Sequence, residues 1–213
     1  MTMKKFTLAT ASMLLALLLS FSCLAESSFF DVTDDKWYAK DVAYVTEKGI
    51  FNGMSDGSFS PDSPFTRAMF VAVLGRLHGI DTSLYTWKVL GDVSPDDWYG
   101  PYVAWAYDNA ITQSMGNDDF RPDYNVTREQ IATFVARYIK KFTTIIPENT
   151  KTERHFADEE KISDFAVESA RLCAELGIMN GDIDGNFRPS DGITRAEAAA
   201  VAARLHALLS ESR

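Results

Sequence analysis

Cysteine is nearly absent: Cys23 and Cys173 are the two in 213 residues. Cys23 falls in an N-terminal leader, so no intrachain disulfide can staple the rest. Cys173, in "ARLCAELG", reads as a small buried hydrophobe rather than a nucleophile. Histidine is scarce too. His78, His155 and His206 stand in dissimilar surroundings, and two of them end apolar helical stripes, where an imidazolium suits the helix dipole. No Cys–His or Ser–His–Asp arrangement has motif support, so the sequence makes no case for an enzyme. Basic runs are missing: 21 Lys and Arg face 30 Asp and Glu, for a formal charge of -9. Such a chain is a poor nucleic-acid binder. Beyond the leader no segment approaches the ~20 apolar residues that a transmembrane segment needs.

The leader itself has a clear layout. Lys4 and Lys5 precede an apolar run from about Leu8 to Leu19, and small residues follow up to Cys23-Leu24-Ala25. This order marks residues 1–25 as a secretory signal peptide, with cleavage expected after Ala25, rather than a buried N-terminal helix. "LSFSC" bears a faint likeness to a bacterial lipoprotein signal, but Ser20 and Phe21 fit it poorly, and lipidation at Cys23 is the less favoured reading. Loss of Lys4 and Lys5 moves the formal charge from -9 to -11.

What the remainder has is a repeat. "DGSFSPDSPFTRAMF" (56–70) returns as "NDDFRPDYNVTREQI" (117–131) and as "DGNFRPSDGITRAEA" (184–198). The first offset takes Trp37 to Trp98, Phe59 to Phe120 and Arg67 to Arg128; the second takes Phe120 to Phe187 and Arg128 to Arg195. The extra residues of the second interval fall in the polar stretch "KKFTTIIPENTKTERH". Such a period marks a supersecondary unit that cannot bury its apolar face alone. The units are expected at 29–88, 89–149 and 153–213.

Each unit reads as helix, loop, helix. Phe70, Val73, Leu74 and Leu77 form one 3.6-period stripe, matched by Ile131, Phe134, Val135 and Tyr138, and by Ala198, Val201, Ala202 and Leu205. Thr66, Thr127 and Thr194 read as N-caps, with Gln130 and Glu197 completing capping boxes that Met69 does not. The first helices are expected in "WYAKDVAYVTEKG", "YGPYVAWAYDNA" and "DFAVESARLCAELG", with Val103, Ala106, Tyr107 and Ala110 as the apolar face of the second. No sustained period-2 run appears, though each loop could form a short bridge. The expected object is all-α: three helical pairs around a shared core, with pseudo-threefold symmetry.

Arg67, Arg128 and Arg195 occupy the first helical position in all three copies. A cation there opposes the helix dipole at roughly 0.3–1 kcal/mol. The benefit lies elsewhere, and two readings compete. Each Arg could clamp a carboxylate of its own loop, such as Asp62, Asp123 or Asp191. Or the guanidinium and the free N–H groups of the helix start could converge on an external anion. Trp37 and Trp98 default to core, though a Trp at a helix entrance also suits a sugar face. Asp31, Asp92 and Asp158 default to caps or turn formers. Gly49, Gly53, Gly177 and Gly181 serve positive φ or close approach, and in a binding loop would bare backbone N–H groups. "NGDIDGNFRPSD" (180–191) imitates a calcium loop, but it ends in Asp191 rather than Glu, and "NGMSDGSFSPDS" lacks its second acid. Turn chemistry explains it better, and no metal or cofactor is expected.

The combination of D-V…W-Y, G-I-x-x-G, D-G-x-F-x-P and T-R-A-E resembles the S-layer homology (SLH) domain, in three tandem copies over about residues 29–209. The resemblance implies a three-pronged helical spindle. It implies noncatalytic anchoring of an exported protein at the bacterial cell surface, by binding secondary cell-wall polysaccharide. It further implies that the ketal carboxylate of a pyruvylated sugar meets the motif arginine in grooves between adjacent repeats. Arg67, Arg128, Arg195, Trp37, Trp98, Asp31, Asp92, Gly53 and Gly181 are the ligand-binding candidates, with Arg67 and Arg195 the most direct matches. Departures predict unequal grooves. Copy two has "TREQ", with Ala110, Ser114 and Asp118 for Gly49, Gly53 and Gly57, so its groove is expected to be weakened. Copy three has Phe165 for Trp, and copy one has Met69 for Glu. The alternative is a protein–protein module that has lost the sugar, its arginines buried in salt bridges. The cargo is not legible.

Overall fold

The computed structural model describes residues 29–145 and 155–211. The expected signal peptide, Cys23 and most of the connection between the second and third repeats lie outside the described residues. Within them are six α-helices and no strands. The helices are α1 Ala39–Glu47, α2 Arg67–His78, α3 Gly100–Asp108, α4 Arg128–Phe142, α5 Val167–Glu175 and α6 Arg195–Glu211. The second helix of each repeat begins at its motif Arg. Thr66, Thr127 and Thr194 accept N–H bonds from Met69, Gln130 and Glu197, and the boxes close at Gln130 and Glu197.

Helices that are consecutive within a repeat are not partners. α2 packs on α3, α4 on α5, and α6 returns to α1, so each pair joins the second helix of one repeat to the first helix of the next. α2 also touches α6. A helix with neighbours on several sides has no solvent stripe, and Ala68 and Phe70–Gly75 of α2 are buried, far beyond the four-residue stripe of the sequence pattern. α6 meets the same demand with alanines. In α3 the buried set is Gly100, Val103, Ala104, Trp105 and Ala106; Tyr107 and Ala110, expected inside, are exposed. Trp105 stacks on Phe142 at 6.0 Å, which explains the shifted face.

The loops interlock in the same cyclic order. The first two N–H groups of α2 donate to Tyr124 and Pro122 carbonyls of repeat 2. Those of α4 donate to Asp191 and Pro189 of repeat 3, and those of α6 to Ser63 and Pro61 of repeat 1. The three isolated β-bridges, Thr66 with Asn125, Thr127 with Gly192 and Pro64 with Thr194, also run between repeats rather than within a loop. A helix start normally leaves four orphan donors. Here two are supplied with acceptors by another repeat and a third by the Thr cap.

Each loop is set by its own repeat's Asp. Both carboxylate oxygens of Asp31 accept backbone N–H bonds, from Phe59 at 2.8 Å and Ser60 at 2.7 Å. Asp92 does the same for Phe120 and Arg121, and Asp158 for Phe187 and Arg188. The held residues Ser60, Arg121 and Arg188 all have positive φ, at 58°, 60° and 55°. The clamp therefore fixes a left-handed turn that L-residues enter reluctantly. These Asp residues cap no helix: Tyr38, Tyr99 and Ala166 precede the first helices without side-chain caps.

The first helices end in one turn geometry. Gly49, Ala110 and Gly177 bond back three residues, at φ of 67°, 56° and 69°. A Cβ at Gly49 or Gly177 would meet nothing within 4 Å, so the difference at Ala110 is intrinsic backbone strain. Ala110→Gly should relieve ~1–2 kcal/mol of left-handed strain against ~0.5–1 kcal/mol of added chain entropy. The expected net gain is about 0.5–1 kcal/mol, read as a raised denaturation midpoint at unchanged m-value.

Candidate functional site

The three motif arginines follow the cyclic order of the loops. Arg67 donates Nε–H to the Phe120 carbonyl at 2.9 Å, Arg128 to Phe187 at 2.6 Å and Arg195 to Phe59 at 2.7 Å. Each guanidinium sits over the ring of the same Phe, at 4.7, 5.2 and 4.7 Å from the centroid. Arg128 and Arg195 spend an Nη2 as well, on the carbonyls of Asn180 and Asn52. Among the described residues no carboxylate lies within 4.0 Å of these three guanidiniums. The own-loop clamp to Asp62, Asp123 or Asp191 is therefore absent. The converging helix N–H groups are absent as well, because other repeats have taken them. Burial is the main force pushing all three arginines down in pKa, Arg67 to about 10, which leaves them charged at neutral pH.

Three grooves result, each drawing on all three repeats rather than on two neighbours. The Trp37 groove combines Trp37 of repeat 1, Arg128 of repeat 2, and Asn180, Gly181, Glu197 and Arg204 of repeat 3. The Trp98 groove combines Trp98 of repeat 2, Arg195 of repeat 3, and Asn52, Gly53, Met69 and Arg76 of repeat 1. The Phe165 groove combines Phe165 of repeat 3, Arg67 of repeat 1, and Gln113, Ser114, Gln130 and Arg137 of repeat 2. Arg67 thus shares no groove with Trp37 or Gly53. The residues that carry the resemblance gather around Arg128 and Arg195.

Trp37 and Trp98 are not core residues. They are 62% and 57% exposed, held edge-on by Tyr38 and Tyr99 at 5.3 Å, and Phe165 is 59% exposed at the equivalent place. An indole kept in water beside a cation is an available platform. Gly53 and Gly181 have no positive φ and serve close approach: a Cβ would lie 2.2 Å from Phe29 Cε1 and 2.9 Å from the Asn186 carbonyl oxygen. Asp31 and Asp92, whose oxygens hold their loops, line none of these three grooves.

Sequence reasoning overlooked a second arginine. Arg76, Arg137 and Arg204 recur nine residues after Arg67, Arg128 and Arg195, a signal present in "GRL", "ARY" and "ARL". Each lines a groove opposite a motif Arg from another repeat. Arg137 and Arg204 are oriented by bonds to the Ile111 and Ile178 carbonyls, at 3.3 and 3.2 Å. Two guanidiniums across an opening favour an anion between them. The Trp98 groove carries no carboxylate, because Met69 stands where Glu197 stands in the Trp37 groove.

The other sequence candidates have structural roles. Asp182 of the calcium-like loop accepts N–H bonds from Asp184 and Asn186 and pairs with Arg188 at 2.8 Å. The Asn186 bond leads in drawing its carboxyl down to about 2. No cluster of metal ligands occurs among the described residues. Cys173 is fully buried, donates to the Ala132 carbonyl and is pushed by burial up to about 12, as expected of an inert thiol. His78 and His206 bond to Tyr138 and Tyr44 hydroxyls, and His155 to Glu159.

Arg195→Ala would strand two carbonyls, at about 1–3 kcal/mol for each that stays buried without a donor. It should lower stability by about 2–4 kcal/mol in urea unfolding, whereas Arg204→Ala, exposed at the groove rim, should cost less than about 1 kcal/mol.

Comparison with known proteins identifies the family. The family model "S-layer homology domain" matches residues 28–69, 90–132 and 155–199, more than half of the chain. The chain is 34% identical over 88% of its length to an amylopullulanase of Thermoanaerobacterium thermosulfurigenes. It is 34% identical over 89% to the exoglucanase XynX of Acetivibrio thermocellus, and 28% identical over 82% to an S-layer protein of Bacillus thuringiensis subsp. finitimus. It spans 10%, 17% and 21% of the length of these relatives. With three motif copies, a cyclic set of arginine contacts and three matched segments, the chain belongs to the S-layer homology domain family.

Proposed function

We propose that this chain is a noncatalytic anchoring module that attaches at the bacterial cell surface by binding anionic secondary cell-wall polysaccharide. The Trp37 and Trp98 grooves carry the function. One observation supports this most directly: in both, an exposed indole, a close-packed glycine loop and two arginines from different repeats face one opening. The indole takes the apolar face of a sugar ring. The loop lets the ring approach the backbone. The paired cations Arg128 with Arg204, and Arg195 with Arg76, take a carboxylate such as that of a pyruvyl ketal. Asp31 and Asp158 contribute by fixing the repeat 1 and repeat 3 loops that these grooves draw on, whereas Asp92 fixes the repeat 2 loop, which lines neither. The names of the relatives fit this reading, since an S-layer protein and two glycan-degrading enzymes share the module.

A protein–protein module that consumed its arginines in salt bridges is the second reading. The guanidiniums work against it, because they meet carbonyls and rings rather than carboxylates.

The test is cosedimentation of residues 26–213 with purified cell walls and with walls stripped of secondary polysaccharide. Binding should disappear on stripping. Trp37→Ala and Trp98→Ala, both at exposed positions, should each weaken it about tenfold, or ~1.4 kcal/mol, and Arg76→Ala and Arg204→Ala similarly. Equal pelleting with intact and stripped walls would remove the polysaccharide from the proposal.

A further inference from the structure

The Trp37 and Trp98 grooves share a dipeptide that the Phe165 groove lacks. Asn is followed by Gly at two places in the sequence, Asn52-Gly53 and Asn180-Gly181, and both pairs line grooves. Asn109, Asn117, Asn125, Asn149 and Asn186 precede larger residues. In repeat 2 the equivalent pair is Gln113-Ser114. An Asn-Gly pair can react with itself. The Gly amide nitrogen attacks the Asn carboxamide carbon, and glycine has no side chain to obstruct the closing ring.

Three observations favour that attack here. Asn52 and Asn180 are exposed. The N–H groups of Gly53 and Gly181, which carry the attacking nitrogens, make no hydrogen bond among the described residues. The backbone carbonyl of each Asn accepts from the Nη2 of a motif arginine, Asn180 from Arg128 at 3.1 Å and Asn52 from Arg195. That carbonyl belongs to the same peptide unit as the attacking nitrogen. When the N–H loses its proton, negative charge spreads onto the carbonyl oxygen, where the guanidinium already donates. A fixed donor at the place where charge develops lowers the barrier. Repeat 2 lacks this arrangement. Arg67 spends Nε on Phe120, and neither Nη makes a hydrogen bond among the described residues. Gln113 would also have to close a larger ring, onto a residue with a side chain.

We propose that Asn52 and Asn180 are self-modification sites, where the chain converts its own carboxamide into a carboxylate. Hydroxide takes the proton of the Gly53 N–H, and the nitrogen forms a bond to Asn52 Cγ. The Cγ–Nδ2 bond breaks, and ammonia leaves with a proton from water, which restores the hydroxide. Water then opens the resulting succinimide at either carbonyl, giving Asp or isoaspartate. Asn180 and Gly181 follow the same steps. The Trp98 groove, which carries no carboxylate, gains one in the opening shared by Arg195 and Arg76. The Trp37 groove gains one in addition to Glu197. An anionic ligand then meets like charge, so the conversion turns attachment off. That consequence rests on the wall-binding reading; the modification itself does not.

The experiment ages residues 26–213 in ¹⁸O-labelled water at mildly alkaline pH, folded and in urea. Each ring opening leaves a labelled oxygen, located by mass spectrometry of peptides. Asn52 and Asn180 should become labelled at least as fast in the folded protein as in urea, with Asn109, Asn125 and Gln113 unlabelled while folded. Arg195→Ala should slow Asn52 about tenfold relative to Asn180 in the same chain, and Arg128→Ala should do the reverse. An arginine that merely held the loop still would act with the opposite sign, so faster labelling in either variant would overturn the proposal. Should a variant not fold, the unaltered protein decides: slower labelling folded than in urea would overturn it equally. Aged protein should pellet less with intact walls as its labelled fraction rises, and unchanged pelleting would overturn the off-switch. Failure of fresh protein to pellet would count against wall binding alone, because the label is read without it.

Discussion

Everything in this molecule depends on one exchange: the start of each second helix is completed by another repeat. The N–H groups of Arg67 and Ala68, of Arg128 and Glu129, and of Arg195 and Ala196 reach their acceptors only across a repeat boundary. A lone repeat would leave two orphan donors at its central helix and two unpaired carbonyls in its loop. It would also expose the face of α2, α4 or α6 that packs on the next repeat's first helix. The order 1 to 2, 2 to 3, 3 to 1 closes without a free end. Solenoids that stack repeats linearly need special capping units at their termini. A closed ring of three has none to cap.

The arginine at the first helical position follows from that exchange. Its cost against the helix dipole is small, at roughly 0.3–1 kcal/mol, and it gains a buried carbonyl and an aromatic face in the neighbouring loop. The same placement brings a cation from one repeat to an aromatic residue of a second and a loop of the third. The groove is a by-product of the architecture. Its chemistry is then tuned locally: Met69 or Glu197 sets the charge, Gly53, Ser114 or Gly181 the floor, and Trp or Phe the platform. Each second helix serves two grooves, its motif arginine facing one and its later arginine the next. A change in one repeat is therefore felt in two sites.

Local signals were legible where local chemistry decides the outcome. Thr66, Thr127 and Thr194 cap the helices as their hydroxyls and the following residues require, and the missing box at Met69 is missing in the structure. Cys173 is buried and inert, as a lone Cys in an apolar helix suggests. The apolar stripes underestimated burial, because period 3.6 locates one buried face and α2 has several. Trp37 and Trp98 divide two signals: hydrophobicity alone favours the core, a helix-entrance position favours a ligand face, and the fold leaves both indoles in water. The second arginines escaped notice although the repeat displays them, because an Arg on an amphipathic helix usually marks its solvated side.

Sequence alone determined the repeat number, the helix starts, the glycine turns and the family, because each is written in residues a few positions apart. It could not decide what the arginines touch. That depends on contacts between residues 53, 59 and 136 positions apart, running from each repeat into another. No pattern within one repeat records which loop will lie over which helix start. Only closure of the chain into a ring put Arg67 with Phe165 rather than Trp37, left its Nη edge open, and made three unequal grooves from three similar sequences.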